Sequence, residues 1–251
     1  MNICLFSEQE INKPLDIHDE RAAHIVNIPH KKQNDSFTAG IIGGQSGIAV
    51  IKEITDSHIL FEFTPQSDGK KLHSLKMIIG FPRPIQLKRL LRDVAALGVE
   101  EVHLTGTELG EKSYMQSTVV EKGTASKLLL EGIVQAGGTH IPQLFLHKTL
   151  KECLLYCSEN ADSKKDVLKL ALDNVNPSSS LREALLKNSK KSEDEFCVYA
   201  AIGSERGWTD KERTLLEKEG YLRCGMGERI MRTETAATVA GSIILDRLEW
   251  L

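Results

Sequence analysis

The sequence predicts an α/β protein whose larger, C-terminal part carries a mostly parallel sheet and whose N-terminal part is a small β-barrel or sheet. Three observations lead there. Up to residue 65, short β-rich pieces (Ile41-Ile42, Ile48-Ala49-Val50-Ile51 and Ile59-Leu60-Phe61-Glu62-Phe63) are separated by Gly43-Gly44, Gly47 and Asp56-Ser57, as strands joined by tight turns would be. From residue 72 onward, strand-like and helix-like segments alternate, the pattern of a parallel sheet. Near the C-terminus, Phe196-Cys197-Val198-Tyr199-Ala200-Ala201-Ile202 is a continuous apolar run that stops at Gly203, a buried strand opening into a loop. The chain has 251 residues, 41% of them hydrophobic, enough for one or two domains with a sizeable core.

Taken in order, residues 64–71 contain Pro65, Ser67, Asp68 and Gly69 and read as a linker between two modules, residues 1–69 and 70–251. Residues 75–80 then read as a strand, 85–97 as a helix ended by Gly98, and Val102-His103-Leu104 as the next strand. The polar tract Asn188-Ser189-Lys190-Lys191-Ser192-Glu193-Asp194-Glu195 reads as a solvated loop before the Cys197 strand. After that strand, Ala201-Ile202-Gly203-Ser204-Glu205-Arg206-Gly207 forms a first glycine-marked loop. Thr209 and Glu212 have the spacing of a capping box, and Gly220 suits the left-handed end of the helix they open. Residues 221–225 return toward the sheet. A second loop follows, Gly225-Met226-Gly227-Glu228-Arg229-Ile230-Met231-Arg232-Thr233-Glu234-Thr235-Ala236-Ala237, in which Gly227 allows backbone to approach a ligand and Ile230-Met231 supply an apolar wall. From Thr235 a C-terminal helix with a face of small residues is expected.

This pair of loops resembles the C-terminal signature of the RsmE family, ribosomal RNA N3-uridine methyltransferases of the SPOUT class, in which I-G-P-E-G-G precedes L-G-x-R-I-L-R-T-E-T-A. The second motif is matched with Met226 and Met231 in place of the two leucines. His24-Ile25-Val26-Asn27-Ile28, Ala95-Ala96-Leu97-Gly98-Val99 and Gln135-Ala136-Gly137 resemble further family segments in the same order. There are departures. Ser204 stands for the proline and Arg206 for a glycine of the first loop, His30 and Gly138 stand where the family has arginines, and Phe81-Pro82-Arg83-Pro84 replaces a lysine-led segment.

The resemblance implies a PUA-like RNA-binding β-barrel over residues 1–69 and a SPOUT methyltransferase domain over residues 70–251, whose C-terminal chain is threaded as a trefoil knot. It implies that S-adenosyl-L-methionine binds at the knot loops, through Leu172, Ile202, Gly203, Gly207, Met226, Gly227, Ile230, Met231 and Thr233, in a homodimer. It implies 16S rRNA of the small ribosomal subunit as substrate, methylated at N3 of a specific uridine. On chemical grounds Arg232 suits an anion developing on the base or a phosphate, since guanidinium offers a fixed fork of donors. Glu205 or Glu234 suits a hydrogen bond to cofactor or base, with help in deprotonation from either. Two bland alternatives stand beside these: Arg232 as a contact across the dimer, and Glu205 as a loop carboxylate paired with Arg206 or Arg229. The RNA contacts expected are His24, Arg83, Lys88 and Arg89.

Composition narrows the field. A net charge of −3 and a pI near 6.3 argue against coating nucleic acid by bulk charge, so RNA recognition must be local. The best basic stretch is Lys70, Lys71, Lys76, Arg83, Lys88, Arg89 and Arg92, which also reads as a solvated face. Five cysteines without a C-x-x-C pair suit a reducing compartment. Cys153 and Cys157 are spaced for one helix face, but no His or Cys partner set nearby completes a metal site, so all five are expected to be buried or inert thiols and no metal is expected. The first ten residues lack signal-peptide features and no apolar run is long enough to span a bilayer, which points to the cytoplasm. Two further readings stay open: a methyltransferase of the same class with a shifted RNA target, suggested by His30 and Gly138, and a catalytically silent ribosome-assembly factor, suggested by Ser204 and Arg206.

Overall fold

The computed structural model of the chain describes residues 2–27, 30–121, 123–186 and 192–251. Ile28 and the part of the polar tract up to Lys191 lie outside the described residues. The chain divides into two compact units, one made of Met1–Lys71 with Leu130–Ile141, the other of Leu72–Leu129 with Pro142–Leu251.

In the first unit, β1 (Cys4–Phe6), β2 (Leu15–Asp16), β3 (Ser36–Ile41), β4 (Ser46–Ile54) and β5 (His58–Ser67) form one sheet in the order β1-β3-β4-β5-β2. β1 runs parallel to β3 and the other pairs are antiparallel. Alternation drives the pairing: β4 buries Gly47, Ala49 and Ile51 while their neighbours stay partly exposed. Phe6, Phe37 and Phe61 meet at the centre, with ring centroids 4.9 and 5.5 Å apart. Two expectations are corrected. The piece read at Ile41-Ile42 is the end of β3, Ser36–Ile41, and Ile42 belongs to the turn that follows, where Ile41 N–H donates to Gln45 O (2.8 Å). The segment read as a linker is partly strand, since β5 continues through Pro65 to Ser67. Proline is tolerated there because β2 pairs with β5 only at His58 and Ile59, leaving the outer edge at Pro65 without a ladder partner.

A short helix, α1 (Glu20–Ala22), capped by Asp19, runs into a π-helical turn, Ala23–Asn27, that carries His24.

The second unit holds a seven-stranded, wholly parallel sheet in the order β10-β12-β9-β11-β6-β7-β8, from β6 (His73–Gly80), β7 (Val99–Thr105), β8 (Gln143–His147), β9 (Asp166–Leu172), β10 (Ser179–Ser180), β11 (Phe196–Ile202) and β12 (Leu222–Gly225). β6 and β11 are central and almost wholly buried, which is why they read as continuous apolar runs. The remaining helices are α2 (Pro84–Ala96), α3 (Lys112–Met115), α4 (Thr118–Glu121), α5 (Thr124–Ala136), α6 (Leu150–Glu159), α7 (Leu181–Leu186), α8 (Asp210–Lys218) and α9 (Thr233–Arg247). Strand alternation sends Ile78, Tyr199 and Ala201 into a cluster with α6 and α8. It sends Met77 the other way, against α9, where a side chain at Gly241 would stand 2.7 Å from Met77 Cε. The small face of the C-terminal helix is therefore taken up by β6 and α2 of the same chain.

Two surface readings also change. Lys76 is no part of a basic surface: it is buried, its Nζ donates to Glu101 Oε1 at 2.6 Å, and it lies over the Tyr199 ring. All five cysteines are free and buried, as expected of thiols. The expectation that Cys153 and Cys157 lack a histidine neighbour fails, because parallel pairing brings His103 of β7 beneath α6, with its Nδ1 3.8 Å from Cys157 Sγ.

Candidate functional site

The carboxyl ends of neighbouring parallel strands are where an α/β sheet offers loops to a ligand. Three such loops, after β9, β11 and β12, enclose a cleft of about 380 Å³. Each is tied to the others by buried bonds. Trp208 Nε1 donates to Leu172 O at 3.2 Å, joining the second loop to the first. Thr233 Oγ1 donates to Gly203 O at 3.2 Å, joining the third to the second. Asp173 N–H donates to Cys224 O at 3.0 Å, joining the first to β12.

The first loop is held further by Asp173, whose side chain is 1% exposed. Arg213 Nε of α8 donates to it at 2.7 Å, and Arg223 Nη1 of β12 lies 3.5 Å away while also donating to Val175 O at 3.0 Å. The Asp173 hydrogen bond raises the Arg213 pKa above its ordinary value. Asp173 Oδ1 also accepts from Val175 N–H at 3.1 Å, so a single buried carboxylate fixes the turn and both cations.

The second loop is a tight turn in which Gly207 N–H donates to Ser204 O at 2.8 Å. Thr107 Oγ1 donates to Ser204 Oγ at 3.0 Å, so a side-chain bond supplies the restraint that proline would give by its ring. Gly80 at the end of β6 is required here, since a Cβ would stand 2.5 Å from Ser204 N. Arg206 is exposed and 3.6 Å from Glu111, a pair of little energetic weight. Glu205 pairs with neither Arg206 nor Arg229 among the described residues: its Oε1 accepts the backbone N–H of Arg83 at 2.9 Å.

The nine residues expected at a cofactor, Leu172, Ile202, Gly203, Gly207, Met226, Gly227, Ile230, Met231 and Thr233, all line this one cleft, as does Glu205. Arg232 does not line it. Arg232 is exposed and occupies the N-cap position of α9 without a side-chain capping bond; the helix starts at Thr233, two residues earlier than expected, because Thr233 is pinned to Gly203. Arg83, at the start of α2, and Lys88 and Arg89, on the same helix, are exposed. His24 is exposed and belongs to the first unit. Sequence reasoning missed Asp173, Arg213 and Trp208. Only Trp208, a large aromatic directly after a loop glycine, left a local signal.

Residues 69–245 match the family model described as an RNA methyltransferase domain. The chain is 38% identical to ribosomal RNA small subunit methyltransferase E of Treponema pallidum, over 98% of this chain and 91% of that protein. It is 30% identical to ribosomal RNA small subunit methyltransferase E 1 of Borreliella burgdorferi, over 97% of each. With these matches the chain belongs to the ribosomal RNA small subunit methyltransferase E family of RNA methyltransferases. Its fold is shared by ribosomal RNA small subunit methyltransferase E of Neisseria gonorrhoeae, solved with bound S-adenosyl methionine, at a TM-score of 0.71 and 17% identity over 98% of this chain and 97% of that one. It is shared too by a Legionella pneumophila protein in complex with SAM, at a TM-score of 0.74 and 19% identity over the same shares. Among the described residues, no helix is long and apolar enough to cross a membrane.

Proposed function

We propose that the chain uses S-adenosyl-L-methionine to methylate N3 of a specific uridine in 16S rRNA of the small ribosomal subunit. The observation that carries this reading is the convergence of three strand-end loops on one cleft, with every residue expected at the cofactor on its wall. The cleft fits such a group. Its volume lies in the range of small-molecule sites, and Leu172, Ile202, Met226, Ile230 and Met231 give an apolar slot for a nucleoside. The charge of Asp173 is already taken up by Arg213 and Arg223. When bound, the cofactor supplies an electrophilic methyl group on a sulfonium.

The chain's own part is orientation and polarity. The target nitrogen must lose its imide proton while it is held in line with the methyl carbon, and a rigid frame of loops provides that alignment. Arg232 projects from the N-terminus of α9, where the helix dipole adds positive potential, and stabilises negative charge on the base. Glu205 lines the cleft and stands as the candidate acceptor of the proton; its bond to Arg83 N–H ties the start of α2 to the same loop. The exposed face of α2, with Lys88 and Arg89, receives RNA phosphates, and His24 of the first unit takes a further RNA contact. The first unit as a PUA-like barrel, residues 70–251 as a trefoil-knotted SPOUT domain, and a cytoplasmic location belong to the same proposal and rest on family membership. So does a homodimer.

The Thr107–Ser204 bond favours an active enzyme over a silent assembly factor, because the loop is shaped without its proline. Calorimetric titration with S-adenosylmethionine tests this directly. Saturable binding at one site per chain is expected, and absence of binding by folded protein would return the weight to the assembly-factor reading.

A further inference from the structure

A second cluster of chemically active side chains lies away from the cleft, and none of its members lines it. Parallel strands β7 and β8 set His103 opposite Phe145 and Thr105 opposite His147, so both imidazoles stand on the face covered by α6. From α6, Cys153 and Cys157 point down at the same spot, one helical turn apart. One ligand atom from each of His103, Cys153 and Cys157 lies within 4.8 Å of the other two. His103 Nδ1 is 3.8 Å from Cys157 Sγ and 3.1 Å from His147 Nε2.

We propose that His103, Cys153 and Cys157 form a zinc site that His147, 3.1 Å from His103 Nδ1, closes by a small side-chain shift, tying β7, β8 and α6 together. Zinc bond lengths to nitrogen and sulfur put the edges of a tetrahedron of two imidazoles and two thiolates at roughly 3.3–3.8 Å. The 3.8 Å from His103 Nδ1 to Cys157 Sγ meets this and the 3.1 Å from His103 Nδ1 to His147 Nε2 is just short of it, while His147 stands outside the group whose ligand atoms all lie within 4.8 Å of one another and must turn toward the cysteines on binding. The surroundings are those of a ligand set. Glu101 Oε2 accepts from His103 Nε2 at 2.8 Å, which places the proton on Nε2 and turns the Nδ1 lone pair toward the cysteines and His147. The other Glu101 oxygen is bound by Lys76, so the orienting carboxylate is itself neutralised. All four ligands are buried, with His103 and Cys153 fully so. A divalent ion with two thiolates and two neutral imidazoles leaves no net charge in that interior, whereas one thiolate alone would. Binding releases the two thiol protons to solvent and changes no oxidation state. The role is structural, because the four protein donors leave no open position.

The test uses the full chain, with zinc alone and with cobalt(II) as a spectroscopic substitute. One zinc per chain retained through gel filtration is expected, together with tetrahedral thiolate-to-cobalt bands after exchange. Both should vanish in the Cys153→Ala, Cys157→Ala double variant, and affinity should fall about tenfold or more in His147→Asn. Removal of zinc by a chelator should lower the melting temperature of the parent chain and leave that of the double variant unchanged. Folded parent protein that retains no zinc and gives no cobalt bands would overturn the proposal without reference to any variant, leaving a metal-free hydrogen-bonded core. Equal metal content in the double variant would overturn it as well, and an unchanged affinity in His147→Asn would overturn the four-ligand assignment.

Discussion

Asp173 shows how one side chain sets the geometry of a cleft it hardly exposes. Its carboxylate takes donors from α8, from β12 and from its own loop, so that Arg213, Arg223 and Val175 are all held by the same group. Removing it strips two partly buried arginines of the buried counter-charge they share, leaving Arg213 only its exposed partner Asp210 and Arg223 its partner Glu217, which is costlier than the loss of an exposed pair. Asp173→Ala should destabilise the chain by about 2–3 kcal/mol and weaken S-adenosylmethionine binding about tenfold or more. Chemical denaturation and calorimetry read the two effects. Unchanged affinity would show that the first loop keeps its shape without the clamp. Ser204 makes a related point, because a hydroxyl bonded to Thr107 restrains the loop at the position where the motif it resembles has proline.

Among the elements, those specified by neighbouring residues were legible. β11 occupies Phe196–Ile202, the apolar run read from sequence, and α8 opens on the Thr209–Glu212 capping box and is followed by Gly220 at φ +82°. Helix α2 and Gly98 follow the same rule. What was not legible depends on partners distant in sequence. β3 lacks the run of large β-branched residues that announces a strand, and it is specified by its pairing with β1 and β4. Lys76 reads as a surface cation until Glu101 arrives on the neighbouring strand, and Cys153 and Cys157 read as inert until β7 delivers His103. The loops that line the cleft could be read because a contiguous motif marks them, whereas Asp173, Arg213 and Arg223 come together only through the sheet order β12-β9-β11.

A prediction belongs to the first unit at this scale. Arg21 donates to both Glu10 and Asp19, at 2.9 and 2.8 Å, and stacks over the Phe6 ring. Its hydrogen bond is the main cause that holds the Glu10 carboxyl at about 2, and it also holds Asp19 below its ordinary value. Both folded values lie below the unfolded ones, so the unfolded chain takes up protons first as pH falls. The stabilisation should be complete above about pH 5 and be lost progressively toward about pH 2. Arg21→Ala should remove that acid limb and cost about 1–2 kcal/mol at neutral pH, a figure kept small by the partial exposure of Glu10. Amide hydrogen exchange of β1 and β3 across the acid range follows it. An acid limb of the same size in the variant would mean that other carboxylates carry it.

For the whole molecule, the net charge of −3 leaves no general attraction to RNA, so the proposed RNA binding rests on local cations, for which those exposed on α2 are the candidates. The catalytic requirement is likewise positional, since the cleft offers a frame of loops around a reacting centre. The most direct test of this account is transfer of labelled methyl from S-adenosylmethionine to small ribosomal subunits lacking N3-methyluridine, with fully modified subunits and naked RNA in parallel and Arg232→Ala as the variant. The account predicts label recovered as N3-methyluridine on the undermodified substrate and not on modified subunits, with transfer abolished in a variant that keeps its oligomeric state. Label recovered as a ribose- or guanine-methylated nucleoside, or no transfer by protein that binds the cofactor, would contradict it.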